Sequence, residues 1–148
     1  MAQTYFGSTL RSGSDTLTDT VDGGFVVLTQ TTTVTTVSAG TAVTSTITIP
    51  VDSQIINFFI DCTTTPVVGG GTATAVNATI GTAAAGTQYL SATDVIAGGR
   101  AALTFTAAQL TAMQDVSSGT VAFTVDPNGT VSTTQGVYRL TVVYAQKV

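Results

Sequence analysis

The chain contains no glutamate, no histidine and no tryptophan, and only 8% of its 148 residues are charged, against a usual share of about a quarter. Without histidine, a Ser-His-Asp or Cys-His nucleophilic site is impossible, and zinc loses its commonest nitrogen ligand. The bases are Arg11, Arg100, Arg139 and Lys147; with a net charge of −4, the chain offers no basic patch for a nucleic-acid backbone. The lack of glutamate and near lack of lysine remove the usual surface helix formers. Cys62 is single, so no internal disulfide can form, and its place in an apolar run points to an inert buried thiol. No apolar run approaches the ~18 residues of a membrane-spanning helix. Met1 to Leu10 lack a basic segment followed by an apolar one, so neither a signal peptide nor a membrane partner is expected.

Carboxylates are the remaining reactive groups. They are Asp15, Asp19, Asp22, Asp52, Asp61, Asp94, Asp115 and Asp126, and most sit beside Gly, Ser, Thr or Pro, where turn roles explain them better than a hydrolytic pair. Asp126-Pro127-Asn128-Gly129 superficially resembles a calcium loop but lacks the repeated acidic ligands and the terminal glutamate, and reads as a turn. Gly69-Gly70-Gly71 lacks the lysine and the helix of a phosphate loop. No catalytic residue, cofactor or metal is therefore expected, and the chain does not read as an enzyme. Tyr5, Phe6, Tyr89 and Tyr138 offer either a carbohydrate-stacking platform or, as is commoner for aromatic side chains, packing in a core or interface.

What the chain has in quantity is threonine, followed by alanine, valine and glycine, a mixture of strand formers and punctuation. The densest apolar stretch is Gln54 to Cys62, QIINFFIDC. Alternation divides it into an apolar set, Ile56, Phe58, Ile60 and Cys62, and a mixed set, Ile55, Asn57, Phe59 and Asp61, which predicts a central strand with the first set in the core. Before it, Phe25 to Val37 and Thr41 to Ile49 read as strands, the latter with Val43, Ser45, Ile47 and Ile49 on one face. After it come Thr72 to Ile80, close-packed or at an edge, then Gln88 to Ile96, Arg100 to Phe105, Gly119 to Asp126 with Val121, Phe123 and Val125 inward, and Gly136 to Gln146 with Tyr138, Leu140, Val142 and Tyr144 on one face. Thr106-Ala107-Ala108-Gln109 has capping-box spacing and predicts one short helix near 107–114, with Leu110 and Met113 inward. About eight strands separated by turn signals give an all-β sandwich. Residues 1–24 are polar and Gly/Ser/Thr/Asp-rich, with Tyr5, Phe6 and Leu10 as their apolar points; they read as an N-terminal arm on a sandwich domain of residues 25–148.

The run ITIPVDSQIINFFIDCTT (Ile47 to Thr64), then NATIGTAAAGTQYLSATDVIAGGR (Asn77 to Arg100), the TAAQL helix start and the closing VYRLTVVYAQ strand resemble small structural proteins of tailed bacteriophages. The resemblance covers residues 47–146 and carries no motif in residues 1–46. It implies a jelly-roll-like β-sandwich, made in the cytoplasm of a bacterial host and placed on the virion at the capsid surface as a decoration or cement protein. It also implies partners: copies of the chain itself, as a trimer, because such proteins commonly sit on threefold positions, and the major capsid protein. The alternative is a tail or fibre-associated virion protein with a receptor or glycan role. The candidate interface residues are Tyr5, Phe6 and Leu10, apolar anchors in an arm that is otherwise too polar to form core.

Overall fold

The computed structural model describes residues 11–12, 15–16, 25–37, 40–67, 74–129 and 135–147. The strands are β1 (Arg11–Ser12), β2 (Asp15–Thr16), β3 (Phe25–Thr35), β4 (Val43–Thr48), β5 (Gln54–Thr64), β6 (Val76–Gly81), β7 (Leu90–Asp94), β8 (Gly99–Arg100), β9 (Thr120–Pro127) and β10 (Val137–Lys147), with one helix, α1 (Ala107–Gln114), between β8 and β9. β1 and β2 form a two-residue antiparallel ladder inside the segment read as an arm, an element its composition did not predict. Tyr5, Phe6 and Leu10 lie outside the described residues.

The other strands form two antiparallel four-stranded sheets, ordered β3-β10-β5-β8 and β4-β9-β6-β7. Counting only these sandwich strands, the first sheet runs first, eighth, third, sixth and the second runs second, seventh, fourth, fifth. That is the strand order of a jelly roll, in which the first and last strands pair inside one sheet and consecutive strands change layer except at the β6–β7 hairpin. The core between the layers is built from Ile55, Phe58, Ile60, Tyr138, Leu140, Val142 and Tyr144 of the first sheet and Ile47, Val76, Ala78, Ile80, Leu90, Val121, Phe123 and Val125 of the second. The rings of Tyr89 and Phe105 lie 6.0 and 6.4 Å from that of Phe58. Tyr89 and Tyr138 are therefore core residues and cannot belong to an exposed stacking platform.

Three sequence expectations are corrected and a fourth is narrowed. In β5, Ile55 is buried at 3% exposure and Ile56 is 49% exposed, the reverse of the simple alternation. The cause is a β-bulge: Val143 pairs with Asn57 and the next residue, Tyr144, with Ile55, so Ile56 has no partner and the inward face changes parity there. In α1, Gln109 rather than Leu110 turns inward, and Leu110 is 49% exposed. The segment after Arg100 continues only as an extended stretch: Ala101 N–H donates to Ile60 O at 2.9 Å, and Leu103 and Phe105 pack against the core without a ladder. Among the described residues of Thr72 to Ile80 the strand begins at Val76, and β6 lies between β9 and β7 with Val76, Ala78 and Ile80 fully buried, which is the close-packed alternative and not the edge.

Candidate interaction surface

The two sheets present different outer faces. That of β4-β9-β6-β7 is partly roofed: Ala122 and Thr124 of β9 point away from the core yet are buried, and Ala85 N–H donates to Thr124 Oγ1 at 2.8 Å from the turn above. This turn lies so close to β6 that a methyl group on Gly81 would come within 2.5 Å of the Gly86 carbonyl carbon; only glycine admits such an approach.

The outer face of β3-β10-β5-β8 carries no such roof among the described residues. The registers set its residues in rows: Thr29, Thr31 and Thr33 on β3, Val143, Thr141 and Arg139 on β10, and Asn57, Phe59 and Asp61 on β5, with Thr35 opposite Val137 beyond them and Thr63 unpaired at a second irregularity of β5. Thr31 and Thr141 hydroxyls lie 3.3 Å apart across the first pair of strands. Thr29, Thr31, Thr33 and Thr35 are all exposed.

One charged cluster interrupts this uncharged face. Asp61 is the register partner of both Arg139 on β10 and Arg100 on β8, so the pairing itself aims two guanidinium groups at one carboxylate. Arg100 donates from Nε to Oδ1 at 2.8 Å and from a terminal nitrogen to Oδ2 at 3.2 Å, and Arg139 donates to Oδ2 at 3.1 Å. The guanidinium of Arg100 lies 4.5 Å from the centre of the Phe59 ring, within cation–π range. Asp61 is left only 13% exposed, while Arg100 and Arg139 keep about half their side-chain surface open. The Arg100 hydrogen bonds, opposed by burial and reinforced by Arg139, hold the Asp61 carboxyl below the usual carboxylate value; the same contact raises Arg100 further. The result is a pre-ordered patch with a positive rim, a carboxylate floor and an aromatic flank. Arg, with its rigid donor fork, suits such a contact point.

Among the described residues, Asp94, Asp115 and Asp52 sit at backbone or turn positions. Asp94 Oδ1 accepts from Val76 and Ile96 N–H at 3.1 and 3.0 Å, Asp115 is the extended residue at which α1 ends, and Asp52 occupies a turn at φ 62°. In the loop after Asp126, Asn128 Oδ1 accepts from Thr74 and Ala75 N–H at 2.8 and 2.9 Å, an amide role that a turn requires and a cation site does not. Among the described residues, no three carboxylate or thiol side chains converge. The buried Cys62 thiol donates to Thr64 O at 3.3 Å.

In the sequence, Asp61 and Phe59 stand out only as members of the mixed face of β5, and no local pattern gathers Arg100 and Arg139 around them. The signal is the register: Asp61 meets the arginines only because β10 and β8 flank β5, a fact of topology rather than of local pattern. No protein-family model matches the chain, and no curated protein or solved structure matches it either.

Proposed function

We propose that the chain is a virion structural protein, a capsid decoration or cement protein that binds its own copies, as a trimer, and the shell of major capsid protein. The jelly-roll order does not by itself choose a function, since the fold serves capsid and lectin domains alike. The observation that carries the reading is the open outer face of β3-β10-β5-β8, on which the Phe59–Asp61–Arg100–Arg139 cluster is the ordered charged feature. Such a face works by buried area and directional hydrogen bonds, and a modest contact repeated over a lattice gains strength through multivalency. The resemblance over residues 47–146 gives the same reading. Burial of Tyr89 and Tyr138 removes two of the four aromatic residues on which a glycan platform would rest.

The test is imaging of particles with and without the protein, together with binding of the purified chain to particles that lack it. Regular added density over the shell is the expected result, and density confined to the tail overturns the capsid reading in favour of a tail or fibre role. The double variant Arg100→Ala/Arg139→Ala is expected to bind particles at least about tenfold more weakly, about 1.4 kcal/mol, with its fold intact by circular dichroism. Binding at parent strength would remove the cluster from the interface.

A further inference from the structure

Each edge strand of a sheet exposes a row of unpaired amide and carbonyl groups to which another strand can add. The edges of this sandwich are β3 and β8 in one sheet and β4 and β7 in the other. Three of them are guarded. β8 is two residues long and carries Arg100. β7 is five residues long, is interrupted by a register shift and ends on Asp94. β4 is six residues long, and its last carbonyl, on Thr48, accepts from Gln30 Nε2 at 3.1 Å. β3 is different: it runs for 11 residues, FVVLTQTTTVT, in unbroken register with β10, with no proline, bulge or charge. Among the described residues, none of the devices that normally blunt an edge falls on it.

The ladder identifies the free groups. Thr36 N–H donates to Gly136 O at 2.9 Å, one step beyond the Thr35–Val137 pair. Because antiparallel pairs alternate between bonded and non-bonded, the even-numbered residues of β3 bond to β10. The amides and carbonyls of Val27, Thr29, Thr31, Thr33 and Thr35 then point away from the sheet.

We propose that β3 is a homotypic docking edge: two copies of the chain pair antiparallel through it, across a twofold centred on Thr31, and merge their four-stranded sheets into one. In this register the free groups of Thr29 meet those of Thr33 of the partner copy, and those of Val27 meet Thr35. Five such pairs, each exchanging two bonds, give about ten backbone hydrogen bonds. The strand is suited to its own copy in particular. A twofold brings identical residues together, and β3 carries no charge to repel itself. Its outward threonines would meet threonines, a cross-strand pairing the chain already uses between Thr44 and Thr124 at 2.8 Å and between Thr31 and Thr141 at 3.3 Å. A strand-to-strand contact lies at the small end of stable interfaces, so the association is reversible and concentration-dependent. It needs no particle, and so goes beyond the decoration reading and stands or falls separately from it.

The test is sedimentation velocity of the purified full chain over a wide concentration range. The expected result is a species that grows with concentration and disappears in Thr31→Lys, which sets two ammonium groups face to face on the twofold. Ala92→Lys, the same change at an exposed position of β7, is expected to associate like the parent. A parent that sediments as one unchanging species, or a folded Thr31→Lys that associates like the parent, overturns the proposal. Should Thr31→Lys fail to fold, amide hydrogen exchange of the parent decides. Exchange at Thr29, Thr31, Thr33 and Thr35 that slows as concentration rises supports the pairing; equally fast exchange at every concentration overturns it.

Discussion

Asp61 is the residue at which charge, register and exposure meet. Its folded-state pKa lies below the usual 3.8, first through its hydrogen bonds with Arg100. A carboxylate with a depressed folded value contributes stability above its unfolded pKa, and that contribution is lost as pH falls through the folded value. The Tm difference between the parent and Asp61→Asn is therefore expected to be greatest above about pH 4 and to shrink on further acidification. A difference that stays constant from neutral pH to strong acid would show that the two arginines do not favour the ionised form. The neighbouring core positions give a sharper contrast. Phe58→Ala removes a fully buried ring that contacts Tyr89 and Phe105 and should cost about 3–5 kcal/mol. Ile55→Ala should cost about 2–5 kcal/mol, whereas Ile56→Ala, at an exposed position, should cost under about 1 kcal/mol. Equal losses in urea unfolding for the two isoleucines would contradict the bulge. The importance of Phe58, Ile60 and Cys62 was legible in the sequence because each lies beyond the bulge in a regular alternation. The placing of Ile55 and Ile56 was not, since one unpaired residue inverts the pattern and nothing in two adjacent isoleucines marks which of them is unpaired.

The helix shows both what a local motif determines and where it stops. Thr106 Oγ1 accepts from Gln109 N–H at 3.3 Å and Gln109 Oε1 accepts from Thr106 N–H at 2.9 Å, the reciprocal box that the spacing predicts, and the helix spans the predicted residues. The inward face is not fixed by that box. Gln109 also donates from Nε2 to Thr87 O at 3.1 Å and Ser91 Oγ at 2.9 Å, which draws its side chain into the fold and brings Met113, one turn on, inward with it. Leu110 is left outside. Those acceptors lie on the β6–β7 connection and on β7, so the rotation of the helix depends on contacts far away in sequence. Thr106→Ala is expected to cost about 1 kcal/mol through loss of the cap. Met113→Ala should cost about 2–5 kcal/mol and Leu110→Ala under about 1 kcal/mol, ordered by thermal unfolding of the purified variants. The turn after the helix adds a backbone constraint. Gly119 has φ +64° and its carbonyl accepts from Ile49 N–H at 2.8 Å, while a methyl group there would lie 2.8 Å from the Ile49 carbonyl oxygen. The loop leaving α1 is thereby tied to the turn that enters β5, on a glycine that alanine would strain.

At the scale of the whole molecule, the sandwich class was legible from strand count and turn spacing because each strand carries its own period. The partnering of β3 with β10, at opposite ends of the domain, was not carried by any one segment; it arises from the jelly-roll order, and with it come both the charge cluster and the long open edge. The same architecture separates folding from assembly in a testable way. Among the described residues the earliest member of the core is Val34, and the core closes through Tyr144 and Ala145 on β10. Removing residues 1–20 therefore deletes no described core side chain and none of the eight sandwich strands, and the truncated chain is expected to retain the far-ultraviolet spectrum and Tm of the parent. If the arm works through Tyr5, Phe6 and Leu10 as anchors on a neighbouring copy or on the shell, each residue it orders costs roughly 1–2 kcal/mol of backbone entropy, and contacts made only in the assembly must offset that. The deletion should then weaken particle binding or oligomer formation without unfolding the sandwich. A truncated chain that sediments and binds particles like the parent would eliminate the arm as an anchor and leave the open face of β3-β10-β5-β8 to make the contact. The Arg100→Ala/Arg139→Ala variant would in that case lose binding in the truncated and the full-length chain alike.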